Sequence, residues 1–432
     1  MKTINTVLFS ILFVAITACN QAGSVSNQTN SRGYAPLKER NEFLAKSEDW
    51  PGVKMKVAQL FKSILADSND LKSKLILAQT YMQEARITGD HPYYYPATLK
   101  ILEDVIRKDN ANFEAMAFKA SVLLSLHHFK EALEVGNKAL TINRNNGFIY
   151  GVLVDANVEL GNYEEAVKMS DLMQSIRPGL ESYSRASYLR EIYGDNQGSI
   201  EAMKLAFEAG LPGTEEASWA GNTLCHLYEN TGNLKAAEDI SRIVLQQRPS
   251  YAFATAALGR IALANNNVKK AIQLFDSAIM MMPEVSFYEC KAKALAVSGD
   301  KQGSEKVYKE ILNMLKEDAE SGHFVDMELA WVYLELGDTK NAMKYAKTEY
   351  DRRPLNLDVN HTMAWVSYTM GDFDQAKKYI DVAMRMGTKD AELLKNAGWI
   401  EQAIGNADLS KKYLAMASKI NPTLTKEIMQ KS

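Results

Sequence analysis

Cysteine is scarce in this chain: three residues in 432, at Cys19, Cys225 and Cys290. Cys225 and Cys290 lie far apart in sequence, so a disulfide framework is not expected and packing has to carry the fold. Proline is sparse too, with ten residues, several of them closing an apolar stretch as helix stops do. No run after the first 18 residues is long and apolar enough to span a bilayer. Charge of one sign is also missing. Fifty basic residues face 53 acidic ones, the net charge is −3, and no long single-sign run occurs. The basic face of a nucleic-acid binder is therefore absent, and no nucleic acid is expected as a partner. Catalytic motifs are lacking as well. There is no His-Glu-x-x-His, no Gly-x-x-x-x-Gly-Lys, no Gly-x-Ser-x-Gly, and no cysteine pair at metal-ligand spacing. The expectation is a protein that is not an enzyme and needs no metal or cofactor. The pair His127-His128 reads as a solvated turn, and Glu164-Glu165 as a solvated helix face.

What the chain has in quantity is period. The stretch Gly161-Asn-Tyr-Glu-Glu-Ala166-Val runs on to Ile176-Arg-Pro178, with Ala five places and Pro seventeen places after the glycine. The frame returns as Gly232/Ala237/Pro249, Asn266/Ala271/Pro283 and Gly337/Ala342/Pro354, then as Gly371/Ala376 and Gly405/Pro422. The step is 34 residues wherever nothing is inserted. Small residues recur at two sites: Ala132, Ala166, Ala237, Ala271, Ala342 and Ala376 at one, Ala139, Ala206, Ala278, Ala383 and Ala417 at the other. Two helices that cross closely need such residues, because a larger side chain overpacks the crossing by roughly 1–3 kcal/mol. Cys225 falls where the unit wants a small buried residue.

This period, with these small residues, resembles the tetratricopeptide repeat (TPR), a helix–turn–helix unit that stacks into a superhelix. The resemblance covers residues 71–424 and implies an all-α fold, a right-handed α-solenoid of about ten TPR-like repeats. The units fall at 71–112, 113–146, 147–179, 180–217, 218–251, 252–284, 285–322, 323–356, 357–390 and 391–424. Residues 35–70 are expected as N-terminal capping helices: a short one from Leu37 to Lys46 and a clearer one opening at Trp50-Pro51-Gly52. Residues 425–432 are a tail too short for another unit. Three irregularities interrupt the period. One is Thr88 to Pro96, placed as a loop between the helices of the first repeat. The others, around Leu211–Thr214 and Asp318–Ser321, are extra residues after the second helix of repeats four and seven.

The N-terminus carries a separate signal. Lys2 is followed by an apolar run from Val7 to Ile16, and Ile16-Thr-Ala-Cys19 resembles a bacterial lipobox. Residues 1–18 then read as a lipoprotein signal peptide, Cys19 as the lipidated residue, and residues 19–34 as a flexible polar tether. The expected setting is the bacterial cell envelope, facing the periplasm, with the outer membrane favoured by Asn20 after the cysteine.

Position 9 of the repeat, which lines the concave wall in the TPR family, reads Ser121, Asp155, Tyr188, His226, Arg260, Lys293, Trp331, Trp365 and Trp399. Tyr188, His226, Arg260, Lys293 and the three tryptophans are the candidate groove residues. A tryptophan in this register either packs between neighbouring helices or presents a ladder of rings, about 10 Å apart, to a ligand. Arg260 and Lys293 are the candidate holders of a carboxylate, although the family's chaperone-tail clamp of paired Lys and Asn is not reproduced. His91, Tyr93, Tyr94 and Tyr95 are candidates for an aromatic docking loop, or else cover the first repeat. The resemblance implies a non-catalytic scaffold for a protein or peptide. The alternatives are a lipoprotein that handles a polysaccharide on the ring ladder and an accessory subunit of an envelope enzyme.

Overall fold

A computed structural model describes residues 33–425 and 428–429 of the chain. The signal segment, Cys19 and most of the tether lie outside the described residues. Among the described residues there are 21 α-helices and no strand. The first helix, Trp50–Ala66, is followed by ten helix pairs, from Leu71–Thr88 with His91–Lys108 to Ala391–Ala403 with Ala407–Ile420. Each pair is one repeat, stacked on the next.

Local chemistry sets the helix ends. Asp70, Asn112, Thr214, Asn356 and Asp390 each accept the backbone N–H three residues on, which satisfies a donor the helix leaves orphaned. Within most pairs the chain reverses through a glycine at positive φ, as at Gly161 (80°) and Gly337 (76°). The alanines at the two small sites have no exposed surface, so the helices cross in contact there. Cys225 is likewise fully buried and takes a hydrogen bond from Ser241.

The superhelix closes on itself. His128 Nε2 lies 2.7 Å from the Gly322 carbonyl, 194 residues further along. Arg353 is ion-paired with Glu159, and Leu357 N–H donates to the Tyr163 hydroxyl at 2.9 Å, both across the same 194 residues. Asn196 reaches the Lys389 carbonyl and Asn421 reaches the Glu229 carbonyl at offsets of 193 and 192. One superhelical turn therefore takes about six repeats, and the intra-repeat turns of the first turn dock on the repeat boundaries of the second. The groove expected as an open trough is thus roofed over part of its length by the chain's own later repeats.

Four expectations are corrected by these contacts. Residues Leu37 to Lys46 do not form a helix; only Leu44–Lys46 makes a 3₁₀ turn. The segment before it is held extended from outside. Ala35 and Pro36 carbonyls accept from Tyr81 and Tyr93, Arg40 is buried against Glu84 and Asp49, and Asn41 donates to the Met281 carbonyl. Those contacts outweigh a weak helical pattern. The stretch with His91, Tyr93, Tyr94 and Tyr95 is no protruding loop, since it forms the first turn of the helix His91–Lys108. Pro92 sits where no N–H is needed, Tyr94 and Tyr95 are buried in the first core, and the Tyr93 hydroxyl is spent on Pro36. In repeat seven the extra residues lengthen the helix Lys301–Glu320, whereas those of repeat four do form a connection between Ala209 and Glu215.

The fourth correction is His127-His128, which is not a solvated turn. His127 adopts φ 61°, a strained conformation for a non-glycine residue, and its Nδ1 meets the Phe324 carbonyl at 2.8 Å. Its ring lies 4.4 Å from His323, and His128 stacks on Phe324 at 4.0 Å. The two rings are part of the seam between superhelical turns.

Candidate functional site

The ninth position runs down the first helix of every repeat, and the structure sorts its members into three groups. Asp155 is bound by Arg185 at 2.6 and 2.9 Å, so it is spent inside the wall. His226 and Arg260 converge on one carboxylate, Glu229, with Arg260 Nε at 2.9 Å and His226 Nδ1 at 3.7 Å. Burial alone would raise Glu229, but His226 and Arg260 outweigh it and hold the carboxyl below its ordinary range. Arg260 is therefore not a free cation waiting for a ligand carboxylate. Lys293 faces Glu289, whose carboxyl is pushed up by burial and relieved in part by that ammonium. Tyr188 is 40% exposed, yet burial and the carboxylates Asp358, Glu159 and Glu191 keep its phenol protonated well above the usual range. Asp358 belongs to the second superhelical turn. The ring thus looks into a space bounded by both turns.

The three tryptophans do share a wall, but they do not form an evenly spaced ladder. Trp365 and Trp399 lie 5.8 Å apart, and Trp365 stacks on Tyr368 at 4.9 Å. Trp399 is only 3% exposed and packs with Leu394, Leu414 and Ala417 in the last core, so it is structural. Trp331 and Trp365 are half-buried. Trp331 donates to the Thr362 hydroxyl at 3.0 Å and meets His361 edge-on at 5.9 Å. Burial drives the His361 imidazole down to about 4, so that ring is neutral at physiological pH.

Trp331 and Trp365 line a cleft of about 510 Å³ together with Leu334, Glu335, Tyr368, Thr369, Gly371 and Phe373. Its volume is in the range of small-ligand and side-chain pockets. The cleft lies at the turn end of repeats eight and nine. That edge corresponds to the one which, in repeats two to five, is covered by the next superhelical turn. Here a side chain built on Gly337, Gly371 or Gly405 would meet no described residue within 4 Å. Phe373 is 37% exposed and Met370 50%. Glu335 and Phe373 escape a reading of the first helices alone. Their signal is register: Glu335 stands two residues before the turn glycine, and Phe373 two after it.

A second cavity, of about 620 Å³, lies on the seam and is lined by His91, His127, His323, Glu284, Asp318 and Glu328 among others. Among the described residues no group of three or more His, Cys, Asp or Glu is placed to hold a metal ion.

The tetratricopeptide-repeat family model matches residues 224–289. Those residues run from the end of the helix Glu215–Asn230 through the next three helices to the start of Val285–Ser298, and the same helix pair is copied along the remaining units. The chain is a tetratricopeptide-repeat protein. Cellulose synthase operon protein C of Pseudomonas fluorescens (strain SBW25) is 26% identical to this TPR chain over 181 residues, 40% of the chain. The match spans 14% of that relative's own length. A thermophilic TPR protein of Thermus thermophilus is similar at 19% identity and a TM-score of 0.40, covering 45% of this chain and 99% of its own. The human IFIT1 dimer with PPP-AAAA is similar at 13% identity and a TM-score of 0.46, covering 85% and 86%. No helix among the described residues is long and apolar enough to cross a membrane.

Proposed function

We propose that this TPR protein is a non-catalytic scaffold, anchored in the cell envelope through lipid on Cys19, that holds a protein partner at the open end of its superhelix. The observation that carries this reading is the cleft of Trp331, Trp365, Tyr368 and Phe373. It is an aromatic recess beside a carboxylate, on the edge that the fold itself uses for docking. The inner wall further down is occupied by ion pairs such as Arg260–Glu229 and Arg185–Asp155, which leaves less of it for a ligand.

Cross-linking from membranes with the wild type and a Trp331→Ala/Trp365→Ala variant tests the proposal. A specific protein band that depends on both rings supports the scaffold. A band retained in full by the variant refutes the cleft as its site. A second reading, the handling of a polysaccharide, is favoured by the partial match to a cellulose synthase operon protein together with rings on which a sugar face could lie. Under that reading a soluble glucan, not a protein, protects the cleft tryptophans from quenching.

A further inference from the structure

The chain contains its own example of how this edge is filled. In the first superhelical turn, the residue two places after the turn position is aromatic in repeats two and three: Phe129 and Tyr163. Each is capped by an arginine arriving from the second turn. The Arg353 guanidinium lies 4.7 Å above the Phe129 ring and is ion-paired with Glu159, two places before Gly161. The Arg385 guanidinium lies 5.2 Å above Tyr163 and donates to the Gly161 carbonyl at 3.3 Å and to the Leu355 carbonyl at 2.5 Å. What the two seats share is a ring two places after the turn position; Tyr163 adds the Gly161 carbonyl, and beside Phe129 the counter-ion is Glu159, from the turn of the following repeat. A guanidinium suits such a seat because it is planar, stacks on rings, and donates in several directions at once.

One superhelical turn later the same kinds of residue recur, and a side chain built on Gly337 or Gly371 would meet no described residue within 4 Å. Phe373 follows Gly371 by two residues as Tyr163 follows Gly161, and Glu335 precedes Gly337 as Glu159 precedes Gly161. Both line the cleft, with Trp331 adding a further aromatic wall. Among the described residues no arginine or lysine lies over Phe373, and none is ion-paired with Glu335. The other turn positions of the second superhelical turn carry Val268, Lys301, Thr339 and Ala407 where Phe373 stands, so the edge offers this aromatic seat at one place.

We infer that the cleft is an arginine-docking site for a partner protein. A loop of the partner lays its guanidinium on Phe373 and donates to the Gly371 carbonyl, as Arg385 does at Tyr163 and Gly161, and takes as counter-ion Glu335, which stands at the turn of the preceding repeat. The inference rests on the scaffold reading and names the chemistry its partner must present.

The probe is a peptide with the chain's own residues 381–390, which contain Arg385, beside its Arg385→Ala and Arg385→Lys versions. Binding to the intact protein is followed by quenching of tryptophan fluorescence. The arginine peptide is expected to quench saturably, the Ala version about tenfold more weakly, and the Lys version in between. Phe373→Ala and Glu335→Gln proteins, checked for unchanged helix content, are expected to lose that preference. Equal binding of the Arg and Ala peptides overturns the inference, and so does no binding up to about 1 mM. Quenching by a cello-oligosaccharide that the arginine peptide does not displace overturns it in favour of a glycan. If the peptides fail while the cross-linked band still needs Trp331 and Trp365, the scaffold stands and only its arginine specificity falls. If both fail, both fall.

Discussion

Glycines at equivalent turns offer a direct measure of how much the seam contributes. Gly161 and Gly194 have φ of 80° and 74°, and Gly337 and Gly405 have 76° and 87°. The backbone cost of placing alanine in that left-handed conformation is therefore nearly the same at all four, about 1–2 kcal/mol each. Their surroundings differ. A Cβ on Gly161 would fall on the Leu355 carbonyl oxygen, and one on Gly194 on that of Gly387, while one on Gly337 or Gly405 would meet no described residue within 4 Å. Neither carbonyl can retreat without moving the docked repeat boundary, so the first pair carries an added overpacking cost of roughly 1–3 kcal/mol per site. The double variant Gly161→Ala/Gly194→Ala should then shift the chemical-denaturation midpoint well below that of Gly337→Ala/Gly405→Ala. It should also raise the radius of gyration in small-angle scattering as the two turns part, which the second variant should not do. Equal midpoints and equal radii would show that the turns are not docked in solution, and the account of a closed superhelix would fail.

Other expectations follow from the same contacts. Burial, with Glu349 and Asp326 close by, raises the Glu328 carboxyl from 4.5 to about 7, so the stability it lends is complete below about pH 4.5 and lost as pH rises through 7. Burial lowers His323 from 6.5 to about 3, so its contribution holds above 6.5 and is lost as pH falls through 3. Resistance to denaturant should therefore decline from pH 6 to pH 8, and Glu328→Gln should flatten that decline; an unaltered slope would remove Glu328 from the cause. Ala166→Leu, at a site with no exposed surface, should destabilise repeats three and four by about 1–3 kcal/mol, read as loss of amide protection there. Trp399→Ala should cost roughly 3–5 kcal/mol as a core truncation, clearly more than Trp331→Ala at its half-buried site; the reverse order would reassign the two rings. Cys19→Ser should leave an uncleaved precursor without lipid label, and normal processing of that variant would rule out the anchor.

The all-α repeat architecture was legible in the sequence because its causes are local. A glycine at the turn, alanines at the helix crossing, and Asn or Asp at helix starts act within one unit or between neighbours, and such a cause leaves a mark every 34 residues. The same locality misled in places. Tyr94 and Tyr95 read as a loop because an insertion breaks the period, yet Pro92 at the helix start and a core beneath the rings make the segment helical, with Pro96 carried inside the helix. The tryptophan register was visible, but not that Trp399 would be packed and Trp365 stacked on Tyr368, since ring direction is decided by neighbours in space.

What the sequence determined alone is the unit and its stacking. What only the tertiary structure decided is the pitch: contacts between residues about 194 apart, where His128 meets the Gly322 carbonyl and Arg353 meets Glu159 without any pattern that a linear reading could join. Small rotations at each repeat boundary add up over about six units, and their sum determines which edges touch. Gly161 and Gly371 look alike along the chain. One lies beneath the next turn and the other at its open end, and that difference places the cleft.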